Sequence, residues 1–320
     1  ITMEVYAGSP RKSTASVAGY SVHYGVYRRS HSQLIQEHLS REQRNYMIML
    51  RAIQAQQSVL KVLNQNKMTK DGGKPLVLDV GANQGLFALF GAKMGADVIA
   101  VEPQIRLCRL INWSILQNGF TIGREIILYQ SAILDVYERV NMRDANINEG
   151  AIGTVVRGKH GNIQSHPISD IVPLNRTVAF LKIDVEGAEL AALRSSYILF
   201  KKHSVNHVVV EFGPPSRWRR TLNMGYQEGI NVMAAMINEY KFEIRLLDSQ
   251  VYSSYMDSSS MPDTDGAYKP ITTLGNMKAL VAAMNKCDCE AYLWFVHNRA
   301  LKMKIDVTYN VGGLLSWLRL

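Results

Sequence analysis

Cysteine is scarce in this chain, with three residues among 320. A framework of disulfide bonds is therefore excluded, because small disulfide-rich folds need several cysteine pairs. Cys287 and Cys289 are separated by one residue, which we interpret as too close for an ordinary structural bridge. No further cysteines or histidines cluster with them in the sequence, so a zinc site is not expected. Cys108 lies in a helical pattern and is predicted to be a core residue.

Long apolar runs are also missing, and no segment reaches the roughly 18 residues that a membrane span needs. Acidic residues are outnumbered by basic ones: the chain has 27 Asp and Glu and 36 Lys and Arg, which gives a formal net charge of +9. A basic excess favours anionic partners, although a basic surface without a specific partner is an equal alternative. The chain starts at Ile1, so the compartment stays open: the cytoplasm, or the secretory lumen if a signal or anchor was removed.

The middle of the chain alternates between predicted strands and helices. The predicted strands are 76–80, 98–102, 126–133, 179–185, 207–212 and 242–247. The predicted helices are 85–94, 104–117, 188–200 and 227–240. This alternation implies right-handed βαβ crossovers, and hence an α/β fold with a mostly parallel, doubly wound sheet.

Two extensions flank this core, which we place at residues 71–250. Residues 1–70 are predicted as an N-terminal helical extension, with the helical pattern running from about 31 to 66. Within it, Ser40 to Gln43 has the form of a capping box. Residues 251–320 are predicted as a Ser-rich loop and a C-terminal extension that completes or flanks the sheet, with a last strand at 291–298.

Small and acidic residues follow the first two predicted strands. Gly81 and Gly85 open the turn after the first strand, and Glu102 ends the second, at the spacing of about twenty residues with which an acid accepts ribose hydroxyls. Asn83 stands where a dinucleotide fingerprint needs its second glycine. A nucleoside without phosphates therefore fits better. S-adenosylmethionine is such a ligand, and its ammonium and sulfonium groups would favour a carboxylate such as Asp79.

A second acidic group follows the predicted strand 179–185. Asp184 ends an otherwise apolar strand, so its carboxylate must be satisfied by donors, a cation or a ligand. Glu186 and Glu189 lie in or near the first turn of the next helix, where negative charge is also stabilising without any function.

These motifs resemble those of the FkbM-type methyltransferases. The resemblance covers roughly 76–247 and rests on VLDVGANQG (77–85), VEP (101–103), LKIDVEGAE (181–189) and VVEF (209–212). It implies an S-adenosylmethionine-dependent O-methyltransferase with a class I Rossmann-like sheet, acting on a hydroxyl of a sugar, glycan or small molecule. The residues that the resemblance assigns to the cofactor are Asp79, Gly81, Asn83, Gly85, Glu102, Ser131, Ala132 and Asp184, with Ser131 and Ala132 near the adenine.

The acceptor hydroxyl would need a base, because an aliphatic hydroxyl is a weak nucleophile until its proton moves. We expect Asp184 or Glu211 to serve as that base, with Glu186 as a further catalytic candidate. His160 and His166 are lesser alternatives, since a lone histidine is more often structural.

A divalent metal is the alternative means of activating the hydroxyl. Asp184 and Glu211 would offer oxygen ligands from neighbouring strand ends, which suit Mg²⁺. Catechol-type methyltransferases resemble that layout but add an Asp-Asn pair, where this chain has Glu211 followed by phenylalanine. We therefore expect no metal ligands, and keep a divalent metal as the less favoured possibility.

The segment GPPSRWRR (213–220) follows the predicted strand 207–212 and should lie on the same rim. Arg217, Arg219 and Arg220 could grip a carboxylate, sulfate or phosphate with paired hydrogen bonds, and Trp218 could stack on a sugar. The alternative is a solvated basic turn. The sequence thus predicts a small-molecule or glycan acceptor, in its sharper form an anionic one.

Two rival functions remain open. An RNA methyltransferase is favoured by the charge, but the Asn/Asp-Pro-Pro-aromatic motif of base-amino methylases and a recognisable RNA-binding module are both missing from the sequence. A catalytically inactive subunit that keeps the fold for assembly is the second alternative. The sequence leaves the oligomeric state open.

Overall fold

The computed structural model describes residues 10–26, 36–37, 39–65, 73–144, 153–157, 161–202, 204–247 and 269–301. Its strands are β1 (Arg11–Val17), β2 (Tyr20–Val26), β3 (Leu76–Val80), β4 (Asp97–Val101), β5 (Ile126–Tyr129), β6 (Ala132–Ile133), β7 (Arg139–Asp144), β8 (Gly153–Arg157), β9 (Ile163–His166), β10 (Val178–Ile183), β11 (Val205–Phe212), β12 (Phe242–Leu246), β13 (Lys269–Ile271) and β14 (Ala291–His297). Its helices are α1 (Gln43–Gln65), α2 (Leu86–Lys93), α3 (Ile105–Gln117), α4 (Ile168–Ile171), α5 (Glu189–Ser195), α6 (Tyr197–Lys201), α7 (Pro215–Leu222), α8 (Tyr226–Asn238), α9 (Leu274–Cys287) and α10 (Asn298–Leu301).

An eight-stranded sheet lies at the centre, in the order β13-β12-β14-β11-β10-β3-β4-β5. The five strands from β5 to β11 are parallel, and β14 runs antiparallel between β11 and β12. The chain leaves β3 towards β4 and β5 on one side and continues later through β10 and β11 on the other. Such a switch point opens a crevice at the carboxyl ends of the strands. The predicted α/β, Rossmann-like fold with a mostly parallel, doubly wound sheet is confirmed.

Helices cover both faces of this sheet, which explains why its central strands β3 and β10 are apolar except for Asp79 and Lys182. Every residue of β3 and of β10 is buried. On one face the core includes side chains of α5, α8 and α9, and on the other it includes side chains of α1, α2 and the β1–β2 hairpin. Strands buried on two sides lack the polar–apolar alternation of a solvent-facing sheet.

The β1–β2 hairpin was not predicted from the sequence. Residues 11–26 belong to the predicted N-terminal extension but precede its helical pattern at 31–66, and they pair as antiparallel strands around a turn at Ala18 and Gly19. The hairpin rests on α3, where Gly25 donates its N–H to Ser114 Oγ at 3.0 Å. Strand β1 is mostly exposed and polar, so its sequence lacks the apolar periodicity from which a strand could be predicted. The predicted helical pattern further on is represented by α1.

Two other predicted elements are divided. The strand predicted at 126–133 becomes β5 in the main sheet and β6 in a second sheet of order β6-β9-β7-β8. The helix predicted at 188–200 becomes α5 and α6, with a break at Ser196. None of the helices in the described ranges is long and apolar enough to cross a membrane.

The C-terminal region supplies an inner strand and a disulfide. The strand predicted at 291–298 is confirmed as β14. The Ser-rich segment 248–268 lies outside the described residues. The expectation of no bridge between Cys287 and Cys289 is wrong, since the two form a disulfide with Cα atoms 5.2 Å apart. Asp288 adopts a left-handed conformation (φ 49°) at the end of α9 and turns the chain back, which brings the two sulfur atoms together. Cys108 is a buried free thiol, as predicted.

Candidate active site

A cavity of about 410 Å³ opens at the carboxyl edge of the sheet. Its walls come from the segments that follow β3, β4, β10 and β11, and also from the start of α1 and from residues around the start of β14. Of the residues singled out in the sequence, those that line it are Gly81, Asn83, Glu102, Ser131, Ala132, Asp184, Glu186, Glu211 and Arg217. The residues that follow β3 and β4 and those at the ends of β10 and β11 therefore line the same cavity.

The turn after β3 approaches β10 so closely that its first residue has no room for a side chain. Gly81 has a φ of +81°, and a Cβ added there would lie 1.7 Å from the main-chain oxygen of Asp184. The amide of Asp184 in turn donates to Val80 O at 2.9 Å. Only glycine combines a left-handed φ with this contact at no steric cost.

Glu102 is held in place by two main-chain donors. Its Oε2 accepts the N–H of Asn83 and its Oε1 the N–H of Gln104, both at 2.9 Å. Burial raises the pKa of Glu102 to about 7, although these two N–H groups act in the opposite direction. Each carboxylate oxygen can accept more than one hydrogen bond, so acceptor capacity remains on a carboxylate that lines the cavity.

Asp79 lies beneath the cavity rather than in its lining. It is 1% exposed, and its Oδ2 accepts the N–H of Ala88 in the first turn of α2 at 3.0 Å, while Oδ1 has no hydrogen-bond partner among the described residues. Burial raises the pKa of Asp79 to about 6. In this position the carboxylate holds the start of α2 against the end of β3.

Lys182 is a cavity residue to which the sequence analysis gave no role. It lies on β10, and its Nζ is 2.7 Å from Asp184 Oδ2 and 4.9 Å from the centre of the Phe87 ring. Burial alone would lower the pKa of Lys182, but the carboxylates of Asp184, Glu42 and Asp79 outweigh it and raise this pKa. The signal in the sequence was a lysine within an otherwise apolar strand, because a buried ammonium needs a carboxylate partner.

Arg217 is surrounded by carboxylates instead of being free for an anionic ligand. Its guanidinium lies 2.7 Å from Glu290, 3.1 Å from Glu186 and 3.5 Å from Glu211. Burial alone would lower the pKa of Arg217, but Glu186, Glu189 and Glu290 raise it. The expectation that Arg217 grips an anionic acceptor is therefore replaced by a role in holding three acidic side chains together.

The other residues of the Arg-Trp segment lie away from the cavity. The interpretation of Trp218 as a stacking surface for a sugar is wrong, because its side chain is fully buried and its Nε1 donates to Glu189 Oε2 at 3.0 Å. Arg219 and Arg220 are exposed and do not line the cavity. From Pro215 the segment forms α7, and the helical period turns Trp218 inwards and the two arginines outwards.

Three carboxylates meet at one end of the cavity. Single oxygen atoms of Glu42, Asp184 and Glu211 all lie within 4.8 Å of one another. Glu211 also accepts a hydrogen bond from Tyr292 Oη at 3.0 Å, across the β11–β14 pair. Glu42 and Tyr292 were missed in the sequence because they lie outside the stretch that carries the motifs. Glu42 was interpreted only as part of the capping box from Ser40 to Gln43, and no motif in the sequence includes Tyr292.

The closeness of these buried acids raises their pKa values. Burial raises the pKa of Glu186 to about 8, and the charge of Asp184 adds to that effect while Arg217 opposes it. Burial and the neighbouring acids Asp184 and Glu290 raise the pKa of Glu211. The site therefore holds several protons near neutral pH, which suits groups that exchange protons with a substrate.

The two histidines considered as bases are not brought to this cluster. His166 lies in β9, where its Nδ1 and Ser131 Oγ are 2.8 Å apart, and it does not line the cavity. Ser131 itself does line it, and its Oγ also donates to Gln164 O at 2.8 Å. His160 lies outside the described residues.

Comparison with known proteins identifies the family. No curated protein matches the sequence. Among solved structures, the chain is similar to a SAM-dependent methyltransferase from Agrobacterium tumefaciens, with 9% identity, a TM-score of 0.40, and 91% of this chain and 71% of that chain covered. The plantazolicin methyltransferase BpumL in complex with SAH gives 9% identity, a TM-score of 0.36, and 85% and 92% coverage.

The bifunctional kinase-methyltransferase WbdD gives 12% identity, a TM-score of 0.39 and 80% coverage of this chain, but the chain spans only 40% of the length of WbdD. Similarities at this level carry no argument about the acceptor. The family model described as the methyltransferase FkbM domain matches residues 79–252, which is more than half of the chain. The chain therefore belongs to the FkbM methyltransferase family.

Proposed function

We propose that this methyltransferase transfers a methyl group to a hydroxyl of a sugar, a glycan or another small molecule. The observation that carries the proposal is the group of carboxylates of Glu42, Asp184 and Glu211 at one end of the cavity. A hydroxyl keeps its proton at neutral pH and attacks poorly until a base accepts it. A neutral amine already has a free lone pair, so it has less need of clustered carboxylates.

The residues at the opposite end of the cavity fit S-adenosylmethionine, which when bound supplies a methyl group activated by a sulfonium. The carboxylate of Glu102 is held by two N–H groups and retains capacity to accept the ribose hydroxyls. Gly81 and Asn83 both have a positive φ and line the cavity, so the main chain of this turn comes close to the ligand. Ser131 and Ala132 line the wall that we assign to the adenine.

The charged residues at the acceptor end orient the reacting groups. Lys182 is paired with Asp184 and so fixes this carboxylate at the end of β10. Arg217 gathers Glu186, Glu211 and Glu290 around one guanidinium. Positioning of this kind supplies much of the rate in an in-line displacement, because the attacking oxygen, the carbon and the leaving atom must be aligned.

The charge of the acceptor end argues against the anionic acceptor expected from the sequence. Five carboxylates line this end. Three cations also line the cavity, Arg41, Lys182 and Arg217, and the last two are already paired with these carboxylates. An anionic substrate would meet like charges and lose its hydration, so a neutral or cationic acceptor fits better. The same argument disfavours RNA, whose phosphates would face these acids.

We infer that the carboxylates act without a divalent metal. The ammonium of Lys182 lies 2.7 Å from Asp184 and already provides the positive charge that a cation would bring to this carboxylate. A metal would compete with that ammonium for the same oxygen. Addition of a chelator is therefore expected to leave methyl transfer unchanged, whereas a loss of activity that Mg²⁺ restores would contradict this inference.

The proposed function is tested by following labelled methyl groups from S-adenosylmethionine into panels of neutral sugars, amino sugars and uronic acids. We expect label in the neutral or amino sugars, as a methyl ether identified by NMR, because the acceptor end repels anions. Transfer confined to a carboxylate or to a nitrogen atom would contradict the proposal. Heat-denatured protein is the control for non-enzymatic transfer.

The assignment of Glu102 predicts a loss of cofactor affinity. We expect Glu102→Ala to weaken the binding of S-adenosylhomocysteine by roughly 10- to 100-fold, since a hydrogen bond to a charged group is worth about 1.5–3 kcal/mol. Calorimetric titration measures this change. Glu37→Ala removes an exposed carboxylate elsewhere and is the control, expected to bind normally. Equal affinities of the two variants would remove Glu102 from the cofactor site.

A further inference from the structure

Glu42 is a cavity residue supplied by a part of the chain that the family match does not include. It lies immediately before α1, whereas the family model matches residues 79–252. Its carboxylate nevertheless lines the cavity and lies within 4.8 Å of carboxylate oxygens of Asp184 and Glu211. The N-terminal segment therefore contributes a group to the place where the acceptor is proposed to bind.

The other carboxylates at this end are already engaged. Asp184 is paired with Lys182 at 2.7 Å. Glu211 accepts a hydrogen bond from Tyr292, and Arg217 lies near Glu186, Glu211 and Glu290. A carboxylate whose oxygens already accept from a cation or donor has fewer free lone pairs to offer to the proton of a bound hydroxyl.

Glu42 differs from them in having no such commitment. Within the described part of the chain, its carboxylate makes no hydrogen bond and no ion pair, and it faces the cavity together with the acids of β10 and β11. An unengaged carboxylate next to the acceptor space is free to take a proton from a bound group.

We propose that Glu42 is the general base of methyl transfer, a role that rests on the proposed hydroxyl acceptor. The acceptor oxygen forms its bond to the methyl carbon while the carbon–sulfur bond breaks and its electron pair stays on sulfur. The hydroxyl proton passes to an oxygen of Glu42, and it leaves to water after the product departs. Charge and atoms balance, because the positive charge lost at sulfur appears as the proton taken up by Glu42.

The ionisation of Glu42 agrees with this role. Burial raises its pKa to about 7; Lys182 acts against that shift, and Asp184 and Asp79 add to it. A base with a pKa near the working pH combines a deprotonated fraction with useful basicity. The charged and titratable groups that surround Glu42 are Arg41, Tyr46, Asp79, Lys182, Asp184, Glu211 and Tyr292.

The test compares Glu42→Gln with Glu37→Gln, an exposed carboxylate in the same segment, in the full chain. With an acceptor found in the sugar panel, we expect Glu42→Gln to lower kcat by roughly 100-fold or more, the usual contribution of a general base. Affinity for S-adenosylhomocysteine should stay unchanged, which shows that the variant is folded. Glu37→Gln should match the wild type in both.

The pH profile gives a readout that a structural role would not move. In the wild type, kcat should fall as the pH drops through about 7, because Glu42 becomes protonated. This limb should be absent in Glu42→Gln and retained in Glu42→Asp, which keeps a carboxylate. Carbon NMR of glutamate labelled at the carboxyl carbon needs no acceptor, and should show a signal titrating near 7 that Glu42→Gln removes and Glu37→Gln keeps.

The outcomes separate the two proposals. If the wild type methylates a hydroxyl and Glu42→Gln does so at the same rate, the base is another group and only the role of Glu42 is overturned. If the labelled methyl group appears only on nitrogen or a carboxylate, the proposed function and the base role both fail. Methyl transfer that requires Mg²⁺ and stops with a chelator would make Glu42 a metal ligand and also overturn its role as the base.

Discussion

Gly81→Ala is expected to abolish binding of S-adenosylhomocysteine and to lower the free energy of unfolding by about 2–5 kcal/mol. A Cβ at this position would lie 1.7 Å from the main-chain oxygen of Asp184, so either the turn or the end of β10 must move. Because neighbouring buried strands carry both groups, the displacement would disturb the cofactor turn and the carboxylate cluster together. Urea unfolding and calorimetric titration measure the two losses.

Gly119→Ala is the matched control for this prediction. Gly119 also has a positive φ, of +72°, but a Cβ there would meet nothing within 4 Å. Its substitution therefore carries the left-handed backbone strain, about 1–2 kcal/mol, without the collision. We expect Gly119→Ala to bind S-adenosylhomocysteine like the wild type. Normal binding by Gly81→Ala would show that the turn adapts, and that the close contact with β10 is not required.

Trp218→Ala is expected to lower the free energy of unfolding by about 3–5 kcal/mol, the usual cost of removing a fully buried aromatic side chain. Trp218 packs against Phe212, with ring centres 4.7 Å apart, and against Gly229 on α8, where an added Cβ would lie 2.6 Å from the indole. Its Nε1 donates to the buried Glu189. Denaturant unfolding measures the change.

Two further variants separate packing from acceptor binding. Trp218→Phe keeps an aromatic ring but removes the donor to Glu189 Oε2, while Oε1 keeps the N–H of Gly187, so we expect a smaller loss of about 1–3 kcal/mol. Arg219→Ala alters an exposed residue on the same helix and should change neither stability nor the acceptor KM. A stable Trp218→Ala protein with a strongly raised acceptor KM would instead restore the interpretation of Trp218 as a sugar-binding surface.

Local patterns were enough to predict that the residues we assign to the cofactor, Gly81, Asn83 and Glu102, line one cavity. Gly81, Asn83 and Glu102 lie within a single β-strand–turn–helix–β-strand unit, and neighbouring parallel strands place their carboxyl ends at one edge. The apolar runs of β3 and β10 also predict strands that are buried on both faces. The structure of segments that pack against their neighbours in the sequence can be predicted from local motifs, because short-range residue spacing sets their geometry.

The acceptor end required contacts between distant segments. Arg217 and Trp218 are adjacent in the sequence, yet one lines the cavity and the other fills the core, because α7 turns successive residues to different sides. Glu290 reaches Arg217 because β14 enters the sheet beside β11 in the antiparallel direction. No periodicity in the sequence specifies that order of strands.

By itself, the sequence determined the α/β class, the family and the two acidic strand ends, since each depends on residues close together in the chain. Only the tertiary structure decided that Arg217 serves three acids, that Trp218 belongs to the core, and that Glu42 enters the site from the N-terminal segment. The physical reason is that burial and charge pairing depend on which surfaces meet after folding. Those surfaces come from segments far apart in the sequence, and the spacing of residues along the chain does not predict which of these segments will come into contact.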